Sequence, residues 1–236
     1  MKIEVLFPEL CNIYAEIENI KYLERCSNNI KVKYTSINEK PLFINEDIDM
    51  LYLGSMPHIH QDIILRKLKP HTKRIKELIE MNKIVLFTGD AIELVGNYIL
   101  DIDTNKKKEC LKLFDVYFER NFFGKYNFFY LGEYEDIKMV GSIETFSKMK
   151  GENKYPFINT LKGMYETPEG INYKNFYATY LIGPLLLLNP LFTKKILKKL
   201  GQKEKLYLEE DIINAYEKRL KQLESDDCKI IMDEHG

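Results

Sequence analysis

Along its first hundred residues the chain alternates short apolar blocks with amphipathic stretches. Residues 3–7 read as a buried strand, and residues 12–25 as a helix that carries Ile13, Ile17 and Ile20 on one face. Residues 30–35, "IKVKYT", form a second expected strand, and "IDMLYLG" from Ile48 a third that ends at Gly54. Helical spacing runs over residues 59–82 with a break near Pro70, a fourth strand covers residues 84–87, and a helix follows from about Asp90 to Tyr98. Four rounds of strand and helix predict an α/β fold with a parallel, doubly wound sheet. Sites in such sheets gather at the carboxyl ends of the strands, here the loops after Gly54 and Phe87.

The second half is less regular. "YNFFYLGEYEDIKMVGSIETF" from Tyr126 is aromatic and β-rich, and "NFYATYL" from Asn175 reads as a further strand. Residues 209–224 carry a helical charge pattern, which leaves "SDDCKIIMDEHG" as a frayed or partner-binding tail. With no repeat, linker or low-complexity tract in view, residues 1–236 are expected to form one domain with a C-terminal helix and tail from about residue 206.

Composition narrows the function classes. A chain of 236 residues, 45% hydrophobic and 30% charged, is large enough to bury one sizeable core. Its 35 basic and 36 acidic residues give a net charge of −1, which argues against general electrostatic attraction to nucleic acid or an anionic membrane. Cys11, Cys26, Cys110 and Cys228 are widely spaced and form no CxxC pair, a pattern that fits a reducing compartment. The apolar part of "MKIEVLF" is too short for a signal peptide, and "YLIGPLLLLNPLF" from Tyr180 is too short to span a bilayer and is interrupted by Pro184 and Pro190. A cytoplasmic location is expected.

The stretch with the most chemical content is "IVLFTGDAIELVG", residues 84–96. A strand that enters a tight turn and then a helix is the usual seat of a nucleophile in α/β enzymes. This turn contains neither cysteine nor serine.

Three segments, "LFPELCNIYAEIENI", "VLFTGDAIELVG" and "INYKNFYATYLIGPLLLLNP", resemble the cobyric acid synthase-like class I glutamine amidotransferases. Within that family they are most similar to the glutaminase subunits of lipid II isoglutaminyl synthase. The resemblance runs in order from about Lys2 to Leu200. It implies a flavodoxin-like fold with a largely parallel central sheet. It also implies a cysteine that attacks the glutamine carboxamide, a histidine base, backbone N–H donors for the oxyanion, and ammonia delivery to a synthetase partner.

Aligned to the family's Cys-Gly-Gly-Tyr-Gln-Leu-Leu-Gly elbow, residues 89–96 put Gly89 at the nucleophile position. The family's Gly-Thr-Tyr-Leu-His-Gly-Pro signature reads Ala178-Thr179-Tyr180-Leu181-Ile182-Gly183-Pro184 here, so Ile182 takes the histidine's place. Glu16 corresponds to the acidic partner. The Gly-Gly-Gly-Gln loop becomes Gly54-Ser55-Met56-Pro57, where Met56 adds bulk and Pro57 lacks an N–H.

No catalytic residue is therefore expected, and the leading reading is a pseudo-glutaminase that scaffolds or regulates a Mur-ligase-like or other ATP-dependent synthetase. Two alternatives stay open. One is an active glutaminase with a relocated nucleophile, for which Thr88 is the candidate. The other is a small-molecule sensor that uses a pocket formed by His58, His60, Thr88, Asp90 and Glu93. The His58-x-His60 spacing could supply two metal ligands, but exposed loop histidines are the preferred reading, and no metal or cofactor is expected. Asp90 is expected to cap the helix after the elbow.

Overall fold

The computed structural model describes residues 1–164 and 168–232. Its strands are β1 (Lys2–Leu6), β2 (Lys31–Thr35), β3 (Met50–Leu53), β4 (Ile84–Thr88), β5 (Tyr98–Asp101), β6 (Lys106–Glu109), β7 (Tyr117–Arg120), β8 (Tyr126–Tyr134), β9 (Ile137–Thr145), β10 (Ser147–Lys150), β11 (Pro156–Lys162), β12 (Glu169–Tyr173) and β13 (Phe176–Thr179). The helices are α1 (Glu18–Cys26), α2 (Gln61–Leu68), α3 (Thr72–Glu80), α4 (Leu185–Leu188), α5 (Pro190–Lys199) and α6 (Glu209–Glu224).

A nine-stranded sheet in the order β2-β1-β3-β4-β13-β12-β11-β8-β9 forms the backbone of the molecule. The first five strands are parallel, with β1 between β2 and β3 and β4 between β3 and β13. This half has the doubly wound order in which ligands bind beyond the carboxyl ends of the strands. Strands β12, β11, β8 and β9 continue the sheet antiparallel. Strands β3 and β4 are buried at every position, as expected of a parallel sheet covered on both faces.

A second, four-stranded sheet, β10-β7-β5-β6, was not anticipated in the pattern of residues 98–120. Its strand β6 reads Lys-Lys-Lys-Glu, mostly exposed, and lacks the apolar alternation that marks a strand.

Three local expectations are corrected. The stretch from Asn12 to Arg25 is not one helix, because Tyr14 and Ala15 adopt left-handed φ values of 63° and 58° and helix α1 starts only at Glu18. The stretch after Gly89 is a 3-10 helix over Gly89–Val95, buried at every position, which ends when the chain turns into β5. The tail is not frayed through residue 232: Phe129 N–H donates to Ile230 O at 2.7 Å, and Ile231 forms an antiparallel bridge with Phe128. Residues 233–236 lie outside the described part.

The outer edge of β9 is covered by the segment that follows β13. Asn189 clamps Val140, accepting its N–H at 2.8 Å and donating to its carbonyl at 2.9 Å, while Ile182 N–H donates to Ser142 O at 3.0 Å. Among the described residues, no helix is long and apolar enough to cross a membrane.

Candidate functional site

The carboxyl ends of β3, β4 and β13 bring together residues far apart in sequence. Gly89 follows β4 with φ at 58°, a left-handed conformation that costs a residue with a Cβ about 1–3 kcal/mol. A Cβ placed on Gly89 would overlap the side chain of Ser55 and lie 3.0 Å from Ile182 Cγ2. Ser55, 1% exposed, therefore fills the space into which a side chain at position 89 would project. Its Oγ also accepts the backbone N–H of Asp90 at 3.2 Å. In strand-turn-helix active sites, the N–H of the residue after the nucleophile is an oxyanion donor. Here that donor is occupied.

Across this point lies Ile182, 3% exposed, whose side chain neither accepts nor donates a proton. Met56 is fully buried within the main hydrophobic core, and the side chains nearest a Cβ at Gly89 are those of Ser55 and Ile182. Gly54 is held to glycine by packing, because a Cβ there would come within 2.6 Å of Cys11 O and 3.0 Å of Glu16 Cβ.

Glu16 emerges from the left-handed break before α1 and is fully buried. One carboxylate oxygen accepts from the Thr88 hydroxyl and from Tyr52 OH at 3.1 Å, and the other from Gly183 N–H at 3.3 Å. Burial outweighs these hydrogen bonds and raises its pKa from 4.5 to about 7. Because the folded value lies above the unfolded one, this group stabilises the fold below about pH 4.5 and loses that contribution as the pH rises to about 7. Glu169, paired with Thr179 and Tyr180, is shifted in the same way to about 7. In Glu16→Gln, which mimics the neutral acid, the fall in stability between pH 5 and 7 should be shallower than in the parent by roughly 1 kcal/mol per pH unit. Urea unfolding across that range measures the difference, and parallel curves for the two proteins would contradict it.

The remaining pocket residues separate into two groups. His58 is not an exposed loop histidine: its ring packs edge-on against Phe122 and Phe146, with centroids at 5.3 and 5.6 Å. Burial lowers its pKa to about 4, so the imidazole is neutral at physiological pH. Its Nε2 lies 3.6 Å from Asp90 Oδ2. His60 turns elsewhere, with Nδ1 3.4 Å from Leu10 O. Asp90 does not cap the helix; its carboxyl accepts from Thr145 Oγ1 at 2.9 Å, and burial pushes its pKa well up, with the neighbouring Glu93 charge adding to the rise.

Glu93, fully buried, forms an ion pair with Arg120 of β7 and accepts from Gln61 Nε2 at 2.8 Å. Arg120 also donates to Gln61 Oε1 at 2.7 Å. Arg120 is the residue that sequence reasoning missed. It lies 27 positions from Glu93 in a strand the pattern did not reveal, and no local spacing signals the pair. The four cysteines are all free, and burial raises the thiol pKa of Cys110 to about 12.

Among solved structures, a glutamine amidotransferase superposes with a TM-score of 0.58 at 14% identity, covering 84% of this chain and 98% of its own. PurLQS from Thermotoga maritima superposes with a TM-score of 0.53 at 11% identity, covering 93% and 98%. The fold is that of the flavodoxin-like class I glutamine amidotransferases. No protein-family model matches it. In sequence it is similar to the GatD subunit of lipid II isoglutaminyl synthase (glutamine-hydrolyzing) of Staphylococcus aureus, 29% identical over 231 residues that cover 90% of this chain and 89% of the relative. The corresponding GatD subunit of Streptococcus pneumoniae is 25% identical over 244 residues, covering 91% and 87%.

Proposed function

We propose that this chain is a catalytically inactive glutaminase-like subunit that scaffolds or regulates an ATP-dependent synthetase of the Mur-ligase type. The observation that carries the reading is the fit of Ser55 against Gly89. Where the resemblance places a nucleophilic cysteine, there is no side chain, the space is filled by Ser55, and the adjacent N–H is bound to its hydroxyl. An apolar Ile182 stands where a base is needed. A synthetase partner is supported by the relatives, which are subunits of a lipid II isoglutaminyl synthase; the Mur-ligase type is part of the proposal. In this reading residues 1–236 act as one unit in the cytoplasm, beside that partner.

The purified chain should release no ammonia from glutamine above background, with or without ATP. Co-purification of the tagged chain with a synthetase from its own cells tests the partner.

A second reading draws on one contact. The Thr88 hydroxyl donates to Glu16, which gives a hydroxyl beside a potential base. Both residues are fully buried, which weighs against attack on a substrate carbonyl. Glutamine turnover that disappears in Thr88→Ala would install this reading in place of the first.

A further inference from the structure

Beside the elbow, a second set of side chains converges without any role in the reading above. His58, Asp90 and Glu93 each bring one potential ligand atom to within 4.8 Å of the other two. Glu93 is fully buried, and its Oε2 is taken by Gln61 and Arg120, yet its Oε1 has no hydrogen-bond partner. The buried Nε2 of His58 likewise has none. An unpartnered carboxylate oxygen and an unpartnered imidazole nitrogen in one small volume carry a desolvation cost of about 1–3 kcal/mol each, and such atoms in a native fold call for a partner. From these contacts we infer that His58 Nε2, Asp90 Oδ2 and Glu93 Oε1 form a binding site for a first-row divalent transition metal ion, with zinc as the best match.

The donor set suits that ion. One imidazole and two carboxylates are borderline ligands of the kind zinc takes, and three protein ligands leave a fourth position open. Zinc–ligand bonds of about 2.0–2.2 Å in a tetrahedron set neighbouring ligand atoms about 3.3–3.6 Å apart. The separation of His58 Nε2 from Asp90 Oδ2 is 3.6 Å.

Each ligand is also held from behind. His58 is wedged by Phe122 and Phe146, Asp90 is hydrogen-bonded by Thr145, and Glu93 is gripped by Gln61 and Arg120. Such outer contacts orient ligands and limit the rearrangement that binding would require. A cleft of about 540 Å³, lined by His58, Asp62, Asp101, Arg120 and Phe122 among others, borders the site on its His58 and Arg120 side. His60 is not part of the set, so the ligands are not the His-x-His pair.

The test is a zinc titration of the chelator-stripped full chain against a chromophoric chelator, repeated with cobalt to read the visible absorption of a low-symmetry site. One ion should bind per chain, and the thermal midpoint should rise with added zinc. His58→Ala and Asp90→Asn should each weaken binding at least about a hundredfold, since even outer-shell losses cost about ten- to a hundredfold. His60→Ala should leave it unchanged. Asp90→Asn is nearly isosteric and guards against misfolding of the histidine variant; circular dichroism in chelator checks both. Absence of one-to-one binding in the parent chain, or binding that survives both ligand substitutions, would overturn the assignment.

Discussion

Gly89→Cys combined with Ile182→His will leave glutamine hydrolysis at background, although it supplies both groups of a thiol–imidazole pair. The new Cβ must adopt the left-handed backbone of position 89 and displace Ser55, whose Cβ and Oγ both lie within contact distance of it. As long as Ser55 keeps its place, its hydroxyl also holds the oxyanion donor on Asp90. Loss of one such donor costs about a hundred- to a thousandfold in rate. Adding Ser55→Gly should therefore give the largest single gain, raising thiol alkylation and then turnover by about two orders of magnitude over the double variant. Met56 is best left alone, because truncating a fully buried core methionine costs about 2–5 kcal/mol. Ammonia release and iodoacetamide reactivity, measured side by side on the double and triple variants, decide the matter. Vigorous turnover in the double variant would mean that Ser55 moves aside freely and obstructs nothing.

Arg120→Ala should be among the most destabilising single changes in the chain, lowering stability by about 3–5 kcal/mol. Arg120 is 4% exposed and pairs with Glu93, which is fully buried. Removal strands that carboxylate in a low-dielectric setting and takes away one of the two partners of Gln61 as well. Replacing Arg120 and Glu93 together by leucine should recover most of the loss, because the cost arises from the unpaired charge and not from the absence of the pair. Urea denaturation of Arg120→Leu, Glu93→Leu and the double leucine variant gives the coupling energy. A loss below about 1 kcal/mol for Arg120→Ala would show that water reaches Glu93 and solvates it.

The parallel half of the sheet was legible because β1, β3 and β4 are short apolar blocks separated by helical stretches, and burial on both faces leaves that mark in a sequence. The second sheet was not, since Lys106–Glu109 and Tyr117–Arg120 take their strand form from their neighbours in the sheet. The break at Tyr14 and Ala15 was also hidden. Nothing in those residue types announces a left-handed backbone, yet that break is what delivers Glu16 to the strand ends. At the site, the residues at positions 16, 55, 89 and 182 could be named from motifs. The interlocking of Ser55 with Gly89 could not, because it depends on a contact across two loops. A signal was present nonetheless: where the resemblance would put a glycine at position 55 and a cysteine at position 89, the chain has Ser55 and Gly89, a swap of bulk between two positions. The Arg120–Glu93–Gln61 cluster gave no such hint.

The clamp of Asn189 on Val140 has a bearing on how the molecule meets others. A strand at the end of a sheet offers unpaired N–H and C=O groups that a stranger can zip onto, whether in aggregation or in recognition by an added strand. On β9, an asparagine amide satisfies both outward groups of Val140, and the backbone of Ile182 takes the carbonyl of Ser142. The segment that carries Ile182 thus covers that border of the sheet at Val140 and Ser142. An associating subunit that approached from this side would have to recognise side chains and surface shape, and its affinity would respond to substitutions on helices α5 and α6 more than to any change in strand register.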